Sequence, residues 1–103
     1  MDNTIARHIV STPDTCFGKP RIEGHRITVA DVATMYLRMG MSLEEIAGRY
    51  ELELAAVYAA MAFYFDHREE IEKRIAKDAA FVAALQRKSR SPRRTRLQAV
   101  KNG

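Results

Sequence analysis

The stretch TCFGKPRIEGHRITV, residues 15–29, holds two glycines, a proline and four side chains that are basic or titrate near neutrality: Lys19, Arg21, His25 and Arg26. Glycines beside a lysine can cradle a phosphate, because bare backbone N–H groups then converge on its oxygens. The spacing argues against that here. In G-x-x-x-x-G-K-[ST] the lysine follows the second glycine and a hydroxyl stands after it. Lys19 instead follows the first glycine, no serine or threonine stands after it, and G-x-G-x-x-G is absent. The stretch reads as a turn scaffold from which Arg21, His25 and Arg26 can project to a phosphate or a partner's carboxylate.

Other reactive side chains are isolated. His8, His25 and His67 have no carboxylate pair or serine at catalytic spacing, and they read as surface or capping histidines. Cys16, beside Phe17, reads as a small buried apolar residue because no base is evident to activate it. One cysteine excludes an internal disulfide, and no short-spaced cysteine and histidine pairs offer a zinc site. No catalytic, cofactor-binding or metal-binding residues are assigned, and the chain does not read as an enzyme.

Charge supplies the other chemistry. The net charge of +4 is unevenly spread: residues 41–72 carry two basic and eight acidic groups, whereas residues 87–103 carry seven basic and none acidic. A basic tail on an acidic body makes the tail the part that meets a polyanion or an acidic protein surface. Its segment RKSRSPRRTR puts Arg90, Arg93, Arg94 and Arg96 around Ser-Pro. Arginines so placed can enter an A·T-rich minor groove or hold phosphates, or form a solvated end.

These groups need elements to position them. At 103 residues and 47% apolar content there is room for one domain with one modest core. Its expected span is residues 1–88, with residues 89–103 a basic tail whose composition predicts disorder. No leader and no run of eighteen apolar residues is visible, so a cytoplasmic protein without a membrane segment is expected.

HIVST, residues 8–12, reads as a short strand. Pro13 opens a loop, and the segment between Gly18 and Gly24 fits a small hairpin or edge ribbon. Thr28 can cap a helix carrying Val32, Met35, Tyr36 and Met39 at helical spacing before Gly40 closes it. Ser42 with Glu45 forms a capping-box pattern for a helix to about Tyr50. From Leu54 to Lys88 there is neither glycine nor proline, so one or two helices are expected.

Between Glu44 and Tyr64 the pattern is that of a helix-turn-helix. Ala47 is the small residue at the crossing, Glu51 to Glu53 the turn and Val57 the aliphatic plug, with Ile46, Tyr50, Leu52 and Met61 closing the core. Glu51 stands where the turn glycine is usual, which requires a different turn or some strain. The outward residues of the second helix would be Ala55, Ala56, Ala59, Ala60 and Phe63, a face without base-reading side chains. With Glu44, Glu45, Glu51 and Glu53 near it, helix packing is favoured over major-groove reading.

Further on, Ile71, Ile75, Val82 and Leu85 step by four, seven and three, and Phe81 widens the stripe. Glu69 with Lys73 and Glu70 with Arg74 make i,i+4 pairs beside it. The expectation is a homodimer joined by this helix, with Phe63, Ile71, Ile75, Phe81, Val82 and Leu85 at the interface, favoured over the helix folding back on its own domain.

GKPRIEGHRITVADV followed by YLRMGMSLEEIAGRYELELAAVYAAMAFYFDHREEI resembles domain-of-unknown-function family 433, over about residues 7–75. The resemblance makes Gly18, Pro20, Ile22, Gly24, Arg26 and Val29 signature positions, with His25 where threonine is usual. It implies a mainly α fold: a short N-terminal β-ribbon, then a homeodomain-like or winged-helix-like helix-turn-helix, here with a long C-terminal helix. It also implies a VapB-like antitoxin whose partner is a PIN-like toxin, a small nuclease holding divalent metal with clustered carboxylates. An arginine of the tail inserted there would compete with metal and RNA. Autorepression by binding operator DNA would follow if body or tail binds DNA. A stand-alone DNA-binding regulator and a structural dimerisation module are the other two readings.

Overall fold

The computed structural model describes residues 4–89, which fall in two units divided after Ile71. In chain order the elements are α1 (Thr4–His8), β1 (Ile9–Val10), a 3₁₀ turn (Cys16–Gly18), β2 (Arg21–Ile22), α2 (Val29–Leu37), α3 (Leu43–Tyr50), α4 (Leu54–Asp66) and α5 (Arg68–Ser89). The fold is mainly helical behind a two-stranded N-terminal ribbon, as expected.

The ribbon is shorter than HIVST suggests. His8 closes α1, and only Ile9 and Val10 are extended. A five-residue helix cannot persist alone, and α1 is held by packing on α4. The strand stops because Thr12 turns the chain, its carbonyl accepting the Thr15 N–H at 3.2 Å, and Pro13 between them has no N–H to offer a ladder. β1 and β2 pair antiparallel, Ile9 opposite Ile22 and Val10 opposite Arg21. The following turn closes through the Ile22 N–H to the Ile27 carbonyl (2.9 Å) and the His25 N–H to the Ile22 carbonyl (3.0 Å). Gly24 sits in it at φ +81°, a region costly to a residue with a Cβ.

Both central helices begin with reciprocal caps. The Thr28 hydroxyl accepts from the Asp31 N–H while Asp31 accepts from the Thr28 N–H, each at 3.0 Å. Ser42 and Glu45 do the same at 3.0 and 2.9 Å. The donated Ser42 N–H, then its hydroxyl and the nearby Arg49 charge, hold the Glu45 carboxyl below its ordinary value, against a small opposing effect of burial. A carboxylate whose pKa is lower folded than unfolded stabilises above the unfolded value, and loses that contribution as pH falls through the folded value. Glu45→Gln is therefore expected to flatten part of the acid limb of Tm against pH, checked by thermal melts below the ordinary carboxylate range.

α3 ends with Glu51 in the left-handed region at φ +53°, and the Leu52 N–H reaches back to the Ala47 carbonyl at 2.9 Å. This is the six-to-one bond of a Schellman cap, with buried Leu52 as its apolar contact. Of the two options open at Glu51, the chain takes the strained one. Glu51→Gly is expected to stabilise the fold by about 1 kcal/mol, which for a body of this size raises Tm by roughly 4–8 °C. Thermal unfolding followed by circular dichroism checks it.

The core gathers on α4, which packs against α1, α2, α3 and both strands. Val57 and Ala60 are fully buried on it, with Ala56, Ala59, Met61 and Tyr64 beside them. Ile46 of α3 and Val29 and Val32 of α2 are buried too, on helices that pack against α4. The long C-terminal segment is two helices. α4 stops at His67, whose N–H caps the Phe63 and Tyr64 carbonyls and whose ring stacks on Phe63 at 4.2 Å. Within the first unit α5 contributes buried Ile71; the second unit carries the rest of α5 to Ser89.

Candidate functional site

Thirteen residues of α4 include only one charged side chain, Asp66, so the helix is apolar nearly all round. One side fills the core and the opposite side faces solvent with Leu54, Ala55, Tyr58, Ala62 and Phe65. That corrects the outward face read from the sequence: Ala56, Ala59 and Ala60 point inward, Ala55 points outward, and Phe63 is half-buried against His67. Tyr50, expected in the core, is 40% exposed.

The corrected face strengthens the argument that the sequence opened. A second helix that reads base edges needs arginine, asparagine or glutamine outward, and α4 has none of them at any position. Glu44, Glu45, Glu51 and Glu53 are all exposed around its approach, so a phosphate backbone there would be repelled. An apolar stripe with acidic surroundings suits a protein surface.

The ribbon's basic residues divide. Arg21 does not project: its guanidinium donates to the His25 carbonyl at 3.1 Å and to the Thr12 hydroxyl at 3.2 Å, and its Nε is buried without a hydrogen bond. It ties the start of the loop to its end, so it is not the freely projecting side chain expected. His25 and Arg26 are exposed. His25 lines a polar cleft of about 320 Å³ with Arg7, His8, Glu23, Glu51 and Glu53. The charges there are mixed, and among the described residues no group of three histidine, cysteine or carboxylate side chains could hold a metal ion. Cys16 is half-buried, not fully buried as expected, and its thiol donates to the Arg26 carbonyl at 3.3 Å.

Of the residues expected at a dimer interface, Ile71 is buried in the body and is not available to one. Ile75 is half-buried, and Phe81, Val82 and Leu85 are exposed on α5. Arg90, Arg93, Arg94 and Arg96 lie outside the described residues. Among the described residues no helix is long and apolar enough to cross a membrane.

Sequence reading missed Tyr58 and Phe65 on α4, and a groove of about 320 Å³ lined by Ile27, Asp31, Thr34, Met35, Met39 and Tyr50. The step from Leu54 to Tyr58 to Phe65 was a usable signal; the groove, built by side chains from separate elements, gave none.

The family profile described as Protein of unknown function (DUF433) matches residues 9–64. A crystal structure of a DUF433 member protein from Anabaena variabilis ATCC 29413 is similar, with 31% sequence identity and a TM-score of 0.62, over 68% of this chain and 69% of that one. No curated protein matches the sequence.

Proposed function

The chain belongs to the DUF433 family of proteins of unknown function, and from that premise we propose that it is a protein-binding module, a VapB-like type II antitoxin that neutralises a PIN-like ribonuclease. The observation that carries this reading is the solvent face of α4: apolar, free of cations and preceded by the exposed glutamates of α3 and the turn. It favours a protein partner over direct base reading.

In this reading two copies join through the exposed Phe81, Val82 and Leu85 of α5, and the basic tail takes the nuclease. The tail's five basic groups, following Arg87 and Lys88 at the end of α5, complement the clustered carboxylates such a metal-dependent nuclease carries. The same arginines could hold operator phosphates when the complex represses its own genes.

The test is a tagged pull-down from the native cytoplasm after nuclease treatment, followed by a ribonuclease assay on what is recovered. Recovery of a metal-dependent ribonuclease whose activity this protein suppresses supports the proposal. Salt-dependent DNA binding with no partner recovered would instead favour a stand-alone regulator. A stable dimer with neither property would leave a dimerisation module.

A further inference from the structure

Cys16, Phe17 and Gly18 take positive φ in succession, at +51°, +57° and +76°. Only glycine does so without cost, so two of the three residues are strained. The turn is nonetheless pinned. The Gly18 N–H donates to the Thr15 carbonyl and the Lys19 N–H to the Cys16 carbonyl, both at 3.1 Å, and the Cys16 thiol holds the Arg26 carbonyl. Its product is Phe17, 87% exposed. In a single copy this residue combines left-handed backbone strain with a large apolar surface in water, and gains no burial in return. Strain held in place by its surroundings points toward function, and an aromatic ring presented on a fixed turn is the form of an interface anchor.

The fold also offers a receptor. Arg26, to which the turn is bonded, is followed by Ile27, which lines the groove together with Asp31, Thr34, Met35, Met39 and Tyr50. Aliphatic, thioether and aromatic walls suit a phenyl ring, and methionine sulfur makes favourable contacts at a ring edge. A volume of about 320 Å³ leaves room for one side chain of that size. The Cys16–Arg26 bond ties the knob to the residue before Ile27 of the groove; with both on one face, two copies related by a two-fold axis would each place Phe17 in the other's groove, a closed pair. Had the two features lain on opposite faces, the same contact would propagate into a chain.

We propose that Phe17 of one copy inserts into the groove of a second copy, and reciprocally. The contact lies wholly within residues 17–50 and needs neither α5 nor the antitoxin reading.

The exposed area bounds the size of the contact. Phe17, Met39 at 63% and Tyr50 at 40% exposure together offer about 380 Å² of side-chain surface, taking ~200 Å² for each whole side chain. With interfaces about 60% apolar, each partner then buries roughly 630 Å². That is close to the low end of specific interfaces, about 600 Å² per partner.

The test isolates this contact by working in a Val82→Asp, Leu85→Asp background, where the exposed stripe of α5 can no longer join copies. Sedimentation equilibrium over a concentration series is expected to show a reversible dimer. Adding Phe17→Ala, or Met39→Glu to block the groove, weakens it about 30-fold or more, as expected for removal of a hot spot. Mixing the two variants partly restores association, because one intact knob then meets one open groove. Phe17→Gly is expected to lose the dimer while raising the monomer's Tm, the opposite of what a structural phenylalanine would do. A monomer in the starting background, or failure of the mixture to associate, overturns the proposal. Loss of the α5 contact with this dimer retained would leave it intact.

Discussion

Ile46→Ala is expected to lower Tm by roughly 12–24 °C. Ile46 has no exposed surface and stands on α3, which packs against both α2 and α4. Deleting three of its side-chain carbons removes their transfer energy and leaves a cavity that three helices cannot readily collapse, a loss of about 3 kcal/mol within the usual 2–5 range. For a body of this size each kcal/mol moves Tm by about 4–8 °C. Ile46→Val removes one carbon and is expected to cost about 1 kcal/mol. Tyr50→Ala, four residues on and exposed, should leave Tm within a few degrees. A melt in which Ile46→Ala and Tyr50→Ala behave alike would sink the account of the core. The contrast matters because a generic helix-turn-helix pattern puts both residues inside.

What the sequence could reveal depended on range. The Ser42–Glu45 cap is complete within four residues, so its side chains declare the helix start before any tertiary contact forms. The left-handed Glu51 was visible as a conflict, since a turn position favouring glycine held a glutamate. α4 was harder: a helix of alanine, leucine and aromatics has almost no polar side, and periodicity cannot say which apolar face turns inward. That choice was made by where α1, α2 and α3 lie, which is why Ala56, Ala59 and Ala60 were placed outward by pattern and inward by packing. Likewise, the break at His67 carries no glycine or proline; there the His67 backbone N–H caps the Phe63 and Tyr64 carbonyls while its ring stacks on Phe63. Arg21 looked like a free cation because its partners, the Thr12 hydroxyl and the His25 carbonyl, approach it only after the ribbon closes.

The electrostatic division has a consequence for how such a module works. Glu44 and Glu45 stand on α3 and Glu51 and Glu53 in the turn before α4, whereas the densest positive charge in the sequence starts at Arg87. Asymmetry of this kind steers an acidic partner toward the C-terminal segment and away from the helix-turn-helix. It also disfavours any wrong mode in which a polyanion lies along α4.

Ending the chain at Lys88 should therefore leave the body's Tm nearly unchanged and weaken binding to the proposed nuclease by 100-fold or more. The truncation removes five basic and no acidic groups, so net charge falls from +4 to −1. Charge-assisted hydrogen bonds contribute about 1.5–3 kcal/mol each, and loss of two of the four available from Arg90, Arg93, Arg94 and Arg96 already exceeds a factor of 100. Titration calorimetry on full-length and truncated chains measures it, and equal affinity would move the contact from the tail to the body, with Tyr58 and Phe65 of α4 the next residues to replace. Two further readouts separate the tail's roles. If a guanidinium occupies the carboxylate cluster that holds the nuclease's metal, Mg²⁺ must weaken binding more than a monovalent salt of equal ionic strength, and replacing the four arginines by lysine must cost affinity although charge is kept. If the arginines instead hold DNA phosphates, lysine replaces them with little loss, and log affinity falls with log salt at a slope of about −3.6 for four contacts.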